Sequence, residues 1–146
     1  MSADLPRVTH VLETSLYVAD LDRARDFYQC VFGFPQFIRD SRMCALGVPG
    51  AQVLLLFRQG AAATPGHTAG GTIPPHDGHG RLHLCFAIPE DDLPGWERRL
   101  ASLGVAIESR VDWPSGSVSL YFRDPDGHSV EVATPRLWPN YGRESG

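Results

Sequence analysis

The sequence predicts an α+β fold built from two βαβββ modules. Two observations carry that expectation: a strand, helix and three further strands can be read twice along the 146 residues, and features of the two readings match at a nearly constant offset. Glu13 aligns with His83 and Val18 with Ile88 at one offset, and Gly33 aligns with Gly104 at one residue more. Pro49-Gly50 ahead of Val53-Leu54 likewise matches Asp126-Gly127 ahead of Val130-Glu131, the mark of a duplicated unit.

Val11 to Val18 reads as a strand in which Glu13, Ser15 and Tyr17 share one face and Leu12, Leu16 and Val18 the other. Asp20 is an N-cap for a helix over Arg23 to Phe32, where Ala24, Phe27, Tyr28 and Val31 recur near helical spacing and Gly33 ends the run. Phe34 to Arg39, Met43 to Val48 and Gln52 to Phe57 follow as strands, the last two parted by Pro49-Gly50. Gln59 to Gly80 has no hydrophobic period and reads as a loop or lid without a packed element.

The second module opens with Arg81 to Ile88, where His83, Cys85 and Ala87 alternate with Leu82, Leu84, Phe86 and Ile88. Pro94 to Leu103 is its helix, apolar at Trp96, Leu100 and Leu103 and stopped by Gly104. Val105 to Val111, Ser117 to Phe122 and Ser129 to Ala133 are its other strands, the last two joined by a tight turn at Asp124-Pro125-Asp126-Gly127. One domain is expected over residues 1–146: module one at 8–58, the lid at 59–80, module two at 81–134 and a tail at 135–146.

A hydrophobic fraction of 42% and a charged fraction of 21% suit a chain with a packed core. The net charge is −4 and the 13 Lys and Arg residues are dispersed, so nothing favours nucleic acid as a partner. Met1 to Pro6 lacks a basic segment followed by an apolar one, and no apolar run nears the ~20 residues of a membrane span. No membrane partner and a cytoplasmic location are expected. Cys30, Cys44 and Cys85 form no CxxC pair and read as reduced core or pocket-wall residues, with thiol chemistry open to Cys85 alone.

Two segments, Leu16 to Phe34 (LYVADLDRARDFYQCVFGF) and Tyr121 to Ala133 (YFRDPDGHSVEVA), resemble the vicinal oxygen chelate superfamily. It includes glyoxalase I, methylmalonyl-CoA epimerase, extradiol dioxygenases and the fosfomycin and bleomycin resistance proteins. The resemblance implies a glyoxalase/bleomycin resistance/dioxygenase fold, in which the modules form a curled mixed sheet with a concave site. It also implies metal ligands on the first and last strands of each module, here Glu13, Leu54, His83 and Glu131. Leu54 cannot ligate, which leaves Glu13, His83 and Glu131 as the metal set.

One imidazole and two carboxylates suit Zn, Ni, Mn or Fe as a single divalent ion and leave positions open for two substrate oxygens. Glu13 and Glu131 are also the catalytic candidates, as carboxylates able to carry a proton. Ser15, Tyr17 and Cys85 share strand parity with the ligands and, with Tyr121, are expected to line the substrate pocket. His67, His76 and His79 lie in the lid, where one could serve as acid or base or complete the metal's coordination. His128 stands three residues from Glu131, on the opposite face of a strand, and His10 precedes the first strand; neither reads as a ligand. Trp113 and Arg123 are assigned structural contacts.

The function implied is a metal-dependent, glyoxalase-like lyase or isomerase acting on a small substrate with vicinal oxygens. An extradiol-type dioxygenase and a bleomycin-resistance-like protein that binds a drug without turnover are the alternatives. A homodimer is expected, with Leu137, Trp138 and Tyr141 of the tail available to a neighbouring subunit.

Overall fold

The computed structural model describes residues 5–141. Met1 to Asp4 and the last part of the expected tail, Gly142 to Gly146, lie outside the described residues. Module one comprises Glu13–Val18 (β1), Leu21–Phe32 (α1), Gln36–Arg39 (β2), Met43–Val48 (β3) and Gln52–Arg58 (β4). A hairpin follows, Gly66–Thr68 (β5) with Gly71–Ile73 (β6). Module two comprises His83–Ala87 (β7), a 3-10 turn, Leu93–Ser102 (α2), Ser109–Asp112 (β8), Val118–Arg123 (β9) and Ser129–Ala133 (β10).

The duplication is visible in the topology. The first sheet has the order β1-β4-β3-β2 and the second β7-β10-β9-β8. In each, the module's first and last strands run parallel at one end, while the remaining pairs are antiparallel. The two sheets share no strand pairing, and β1 and β7 are both edges.

The helix ends follow the expected chemistry. The Asp20 side chain accepts the Arg23 amide at 3.0 Å, and Gly33 takes the left-handed conformation (φ 74°) that lets its amide reach back to the Gln29 carbonyl. Arg99 of α2 then donates to the carbonyls of Val31 at 2.8 Å and Cys30 at 2.6 Å. A cation from one module thus satisfies the C-terminal end of the other module's helix.

Both modules turn their helix sides inward to a single core. Leu16, Val18, Ala24, Tyr28, Leu54 and Leu56 of module one join Leu100, Leu120, Phe122, Val130 and Val132 of module two in one buried cluster, each large side chain contributing about 1.5–3 kcal/mol. Phe32 crosses the seam, its ring 4.7 Å from that of Phe86 and 5.3 Å from that of Trp96. A polar clasp adds to it. The Tyr28 hydroxyl donates to Asp124 Oδ2 at 2.8 Å, the Ala19 amide to Asp126 Oδ1 at 2.8 Å, and the buried His128 donates from Nε2 to the Tyr17 carbonyl at 2.8 Å while Nδ1 accepts the Leu82 amide. Burial and the adjoining Asp124 hold the Tyr28 phenol well above its ordinary pKa.

Several expectations need correction. The 59–80 segment is not an irregular loop throughout: it contains the β5–β6 hairpin, exposed apart from Gly66, its turn closed by Thr68 Oγ1, which accepts the Gly70 amide and donates to the Gly71 carbonyl. Its base is tied by Arg42 donating to the Ala61 carbonyl. The expected strand at Val105 to Val111 is reduced to β8, because Val105 returns its amide to the Leu100 carbonyl at the end of α2 instead of entering the ladder. The strand at Phe34 to Arg39 begins only at Gln36, after Pro35. Of the cysteines read as core or wall, Cys44 is buried whereas Cys30 and Cys85 are exposed. Tyr141 donates to the Ile88 carbonyl of its own chain at 2.9 Å, while Trp138 stays exposed.

The clasp predicts a stability effect. Tyr28→Phe leaves Asp124 Oδ2 buried without its donor, and urea denaturation is expected to show a loss of about 1–3 kcal/mol at unchanged m value.

Candidate functional site

The outer face of the second sheet, away from the helices, collects the polar residues of module two. The turn at Asp124 to Gly127 closes with the Gly127 amide on the Asp124 carbonyl at 2.9 Å and sets the β9–β10 register. Glu131 is thereby paired with Tyr121 on one side and with Cys85, across the parallel ladder, on the other. His83 lies at the start of β7, one diagonal step from Glu131.

Glu131 is buried, with 4% of its surface exposed. Its Oε2 accepts from Ser119 Oγ at 2.5 Å, and Oε1 faces His83 Nε2 at 3.3 Å. His83 Nδ1 lies 3.0 Å from the Ser129 carbonyl. A carbonyl only accepts, so Nδ1 carries a proton toward Ser129; Nε2 then meets Oε1 as a lone pair in the neutral ring or as an N–H donor in the imidazolium. In the imidazolium a proton bridges the two atoms, and with the ring neutral a metal ion can take that place. The Tyr121 ring lies nearly parallel to that of His83, with centroids 6.3 Å apart.

The donor set fits a divalent ion. Ligand bonds of about 2.1 Å place their donor atoms about 3.4 Å apart at the tetrahedral angle and about 3.0 Å apart at the octahedral one, and the observed 3.3 Å falls between. His83 also has the carbonyl partner that metal-binding imidazoles use to fix the tautomer. Cys85 beside them is a poor nucleophile: although the residue is exposed on the edge strand, desolvation of its sulfur against the sheet face, then the charge of Glu131, push the thiol up to about 12. Burial and Glu131 raise the Tyr121 phenol as well.

Glu13 is exposed on β1, in the other sheet. Among the described residues no group of three or more His, Cys, Asp or Glu side chains is arranged to hold a metal. A single chain therefore joins His83 and Glu131 without Glu13. The common cavity expected for Ser15, Tyr17 and Cys85 is not formed within one sheet either, since Ser15 and Tyr17 lie on β1 and Cys85 on β7. Tyr17 instead meets the lid. Its hydroxyl bonds His76 Nδ1 at 2.6 Å, Phe57 packs edge-on to the same imidazole with centroids 4.6 Å apart, and a Cβ at Gly78 would sit 2.4 Å from the Tyr17 ring. His67 and His79 are exposed. His128 lies buried between the modules as part of the clasp.

Ser119 was not expected at this site, and Trp113 only as a structural contact. The indole N–H of Trp113 donates to Ser119 Oγ at 2.9 Å, behind the bond from Ser119 to Glu131. The one available signal was parity: Ser119 shares its strand face with Tyr121.

Comparisons with known proteins agree with this architecture. A sequence profile of the Glyoxalase/Bleomycin resistance protein/Dioxygenase superfamily matches residues 7–132. The crystal structure of lactoylglutathione lyase from Agrobacterium tumefaciens superposes with a TM-score of 0.82 at 34% sequence identity, covering 92% of this chain and 99% of that one. Metallothiol transferase FosB from Bacillus licheniformis is 42% identical over 60 residues, which is 40% of this chain and 38% of that protein. Catechol-2,3-dioxygenase from Bacillus subtilis is 28% identical over 137 residues, 93% of this chain and 45% of that protein, so the matches to these two span less than half of either relative. With the profile covering most of its length and the same fold in a relative more than 30% identical, the chain belongs to the Glyoxalase/Bleomycin resistance protein/Dioxygenase superfamily.

Proposed function

We propose that this chain is a metal-dependent, glyoxalase-like lyase or isomerase acting on a small substrate with vicinal oxygens, its divalent ion (Zn, Ni, Mn or Fe) held by His83 and Glu131 of one protomer and Glu13 of a second copy. The observation that carries the reading is the His83–Glu131 pair, an imidazole nitrogen and a carboxylate oxygen 3.3 Å apart whose remaining polar atoms are already bonded. The likeness to lactoylglutathione lyase over nearly the whole of both chains supports the lyase class.

The second copy is argued from what one chain leaves unfinished. Glu13 stands on an unpaired strand edge, and the segment ahead of it exposes Leu5, Val8, Val11 and Leu12. An open edge flanked by exposed apolar side chains is a surface suited to association, and a twofold pairing would supply each His83–Glu131 pair with a Glu13.

A divalent ion at this place would act as a Lewis acid toward two neighbouring substrate oxygens and lower the energy of an enolate-like anion. The protein's own part divides between the two carboxylates. Glu131, buried and bonded by Ser119, is the fixed ligand, whereas Glu13, on an exposed strand edge, is the carboxylate that substrate would displace from the ion and that could then take a proton from substrate carbon and return it. Tyr121 and the uncharged Cys85 flank the pair as walls for the substrate. A transferase reading, suggested by the FosB relatives, would use the same ligands with a thiol as second substrate. A dioxygenase reading fits the ligand set less well, because one imidazole and two carboxylates differ from the two-imidazole sets of iron oxygenases.

Metal content is the first test. Mass spectrometry is expected to find near one equivalent of a divalent ion per chain, lost in His83→Ala and in Glu131→Ala; a wild type that stays empty after reconstitution with Zn²⁺, Mn²⁺, Ni²⁺ and Fe²⁺ would leave the drug-binding reading in its place. Mixing Glu13→Ala with His83→Ala tests the shared site: random pairing is expected to restore about a quarter of the wild-type sites, and no recovery would place all ligands within one chain.

Cys85 gives a further check. In the metal-free protein its thiol is raised to about 12, so thiolate is scarce at pH 8. Alkylation followed by mass spectrometry is expected to label Cys85 far more slowly than free cysteine, and faster in Glu131→Gln, where the neighbouring charge is gone.

A further inference from the structure

We infer that Ser119, backed by Trp113, is a positioning residue for Glu131, holding the carboxylate so that Oε1 alone faces His83 and stays available to a divalent ion. This rests on the metal-site reading above. With Glu131 ionised, as a metal ligand must be, each hydrogen bond in the chain has one direction. An indole N–H donates and cannot accept, and that of Trp113 lies 2.9 Å from Ser119 Oγ. Ser119 Oγ accepts from the indole, and toward an ionised carboxylate, which can only accept, its single hydroxyl proton makes the 2.5 Å contact to Glu131 Oε2. Oε2 is thereby committed as an acceptor, and the plane of the carboxylate is set by a buried partner rather than by water.

The backbone delivers both groups. Gly116, at φ 90°, closes a turn by donating to the Trp113 carbonyl at 2.9 Å, and the Trp113 amide returns to the Ser117 carbonyl at 2.9 Å. That turn joins β8 to β9 and brings the indole over the strand that bears Ser119. The β9–β10 ladder pairs Ser119 with Ala133 and Tyr121 with Glu131, so the serine reaches the carboxylate diagonally. Ser119 has 0% and Glu131 4% of its surface exposed. Solvent therefore does not readily replace the hydroxyl, and deleting it frees Glu131 to rotate or to engage His83 differently.

The test uses the full chain, with zinc alone as probe. Zn²⁺ affinity is measured by calorimetry for wild type, Ser119→Ala, Ser119→Thr and Trp113→Phe. In ¹⁵N-labelled protein the indole N–H signals of the three tryptophans are followed during the same titration, that of Trp113 being assigned by its loss in Trp113→Phe. Ser119→Ala is expected to weaken zinc binding about ten- to hundredfold, and Ser119→Thr, which keeps the hydroxyl, to restore it. The Trp113 indole signal should shift on zinc binding in wild type and stand still in Ser119→Ala, a readout that lost packing alone would not produce.

Zinc affinity unchanged in Ser119→Ala, with the Trp113 signal still shifting, would overturn the inference. Unchanged backbone amide signals away from β9 and β10 establish that each variant folds. If wild type takes up no zinc, the metal-site reading fails and the hydrogen-bond chain is judged without metal: a Trp113 indole signal that moves in Glu131→Gln supports it, and one that does not move refutes it.

Discussion

Much of this structure depends on the need to satisfy one buried carboxylate. Asp124 is only 5% exposed, so its oxygens require partners. Oδ1 accepts the amides of Asp126 and His128 from its own turn, and Oδ2 accepts the Tyr28 hydroxyl from the helix of the other module. The first two bonds shape the turn that aligns β9 with β10; the third fastens that turn to α1. The register of the face that bears Glu131 and the docking of the two modules are consequently set at one point. Asp126 and His128, two and four residues on, extend the same contact to the end of β1.

That docking has a geometric consequence. The helix sides of both modules are consumed in one core, with Phe32 stacked into rings from each. The opposite faces of the two sheets, which carry Glu13, Ser15 and Tyr17 on one and His83, Cys85 and Glu131 on the other, do not merge through strand pairing. A fold duplicated within a chain can therefore present two halves of a site without assembling them. Association of two chains is the economical way to bring unlike halves together, because a twofold axis repeats whatever contact it makes.

The parts of the fold that could be read from sequence were those with a local cause. Asp20 and Gly33 bracket α1 through their own backbone and capping chemistry, and the Asp-Pro-Asp-Gly turn is specified by its four residues. Met43–Val48 and Ser129–Ala133 were legible from β propensity alone. The β5–β6 hairpin was not, since three-residue strands of Gly, His and Thr carry no period to detect. At the site, His83 and Glu131 could be placed on one face by parity and by family resemblance. Ser119 could not be singled out, because a strand serine has no signature of its own and its importance arises from a register across twelve residues and from an indole behind it. The Tyr17–His76 contact, between residues 59 apart, is likewise a product of how the lid folds back.

The arrangement around Glu131 also bears on chemistry. Two carboxylates and one imidazole neutralise the charge of a divalent ion, which lowers its pull on electrons compared with a set of neutral ligands. A strong hydrogen bond to the distal oxygen of one carboxylate acts in the opposite direction, drawing negative charge toward Ser119 and away from the oxygen that faces the ion. Ser119 and Trp113 would then do more than hold a side chain in place. With a divalent ion bound, moderating the electron donation of Glu131 would keep an otherwise charge-neutral centre able to polarise substrate oxygens.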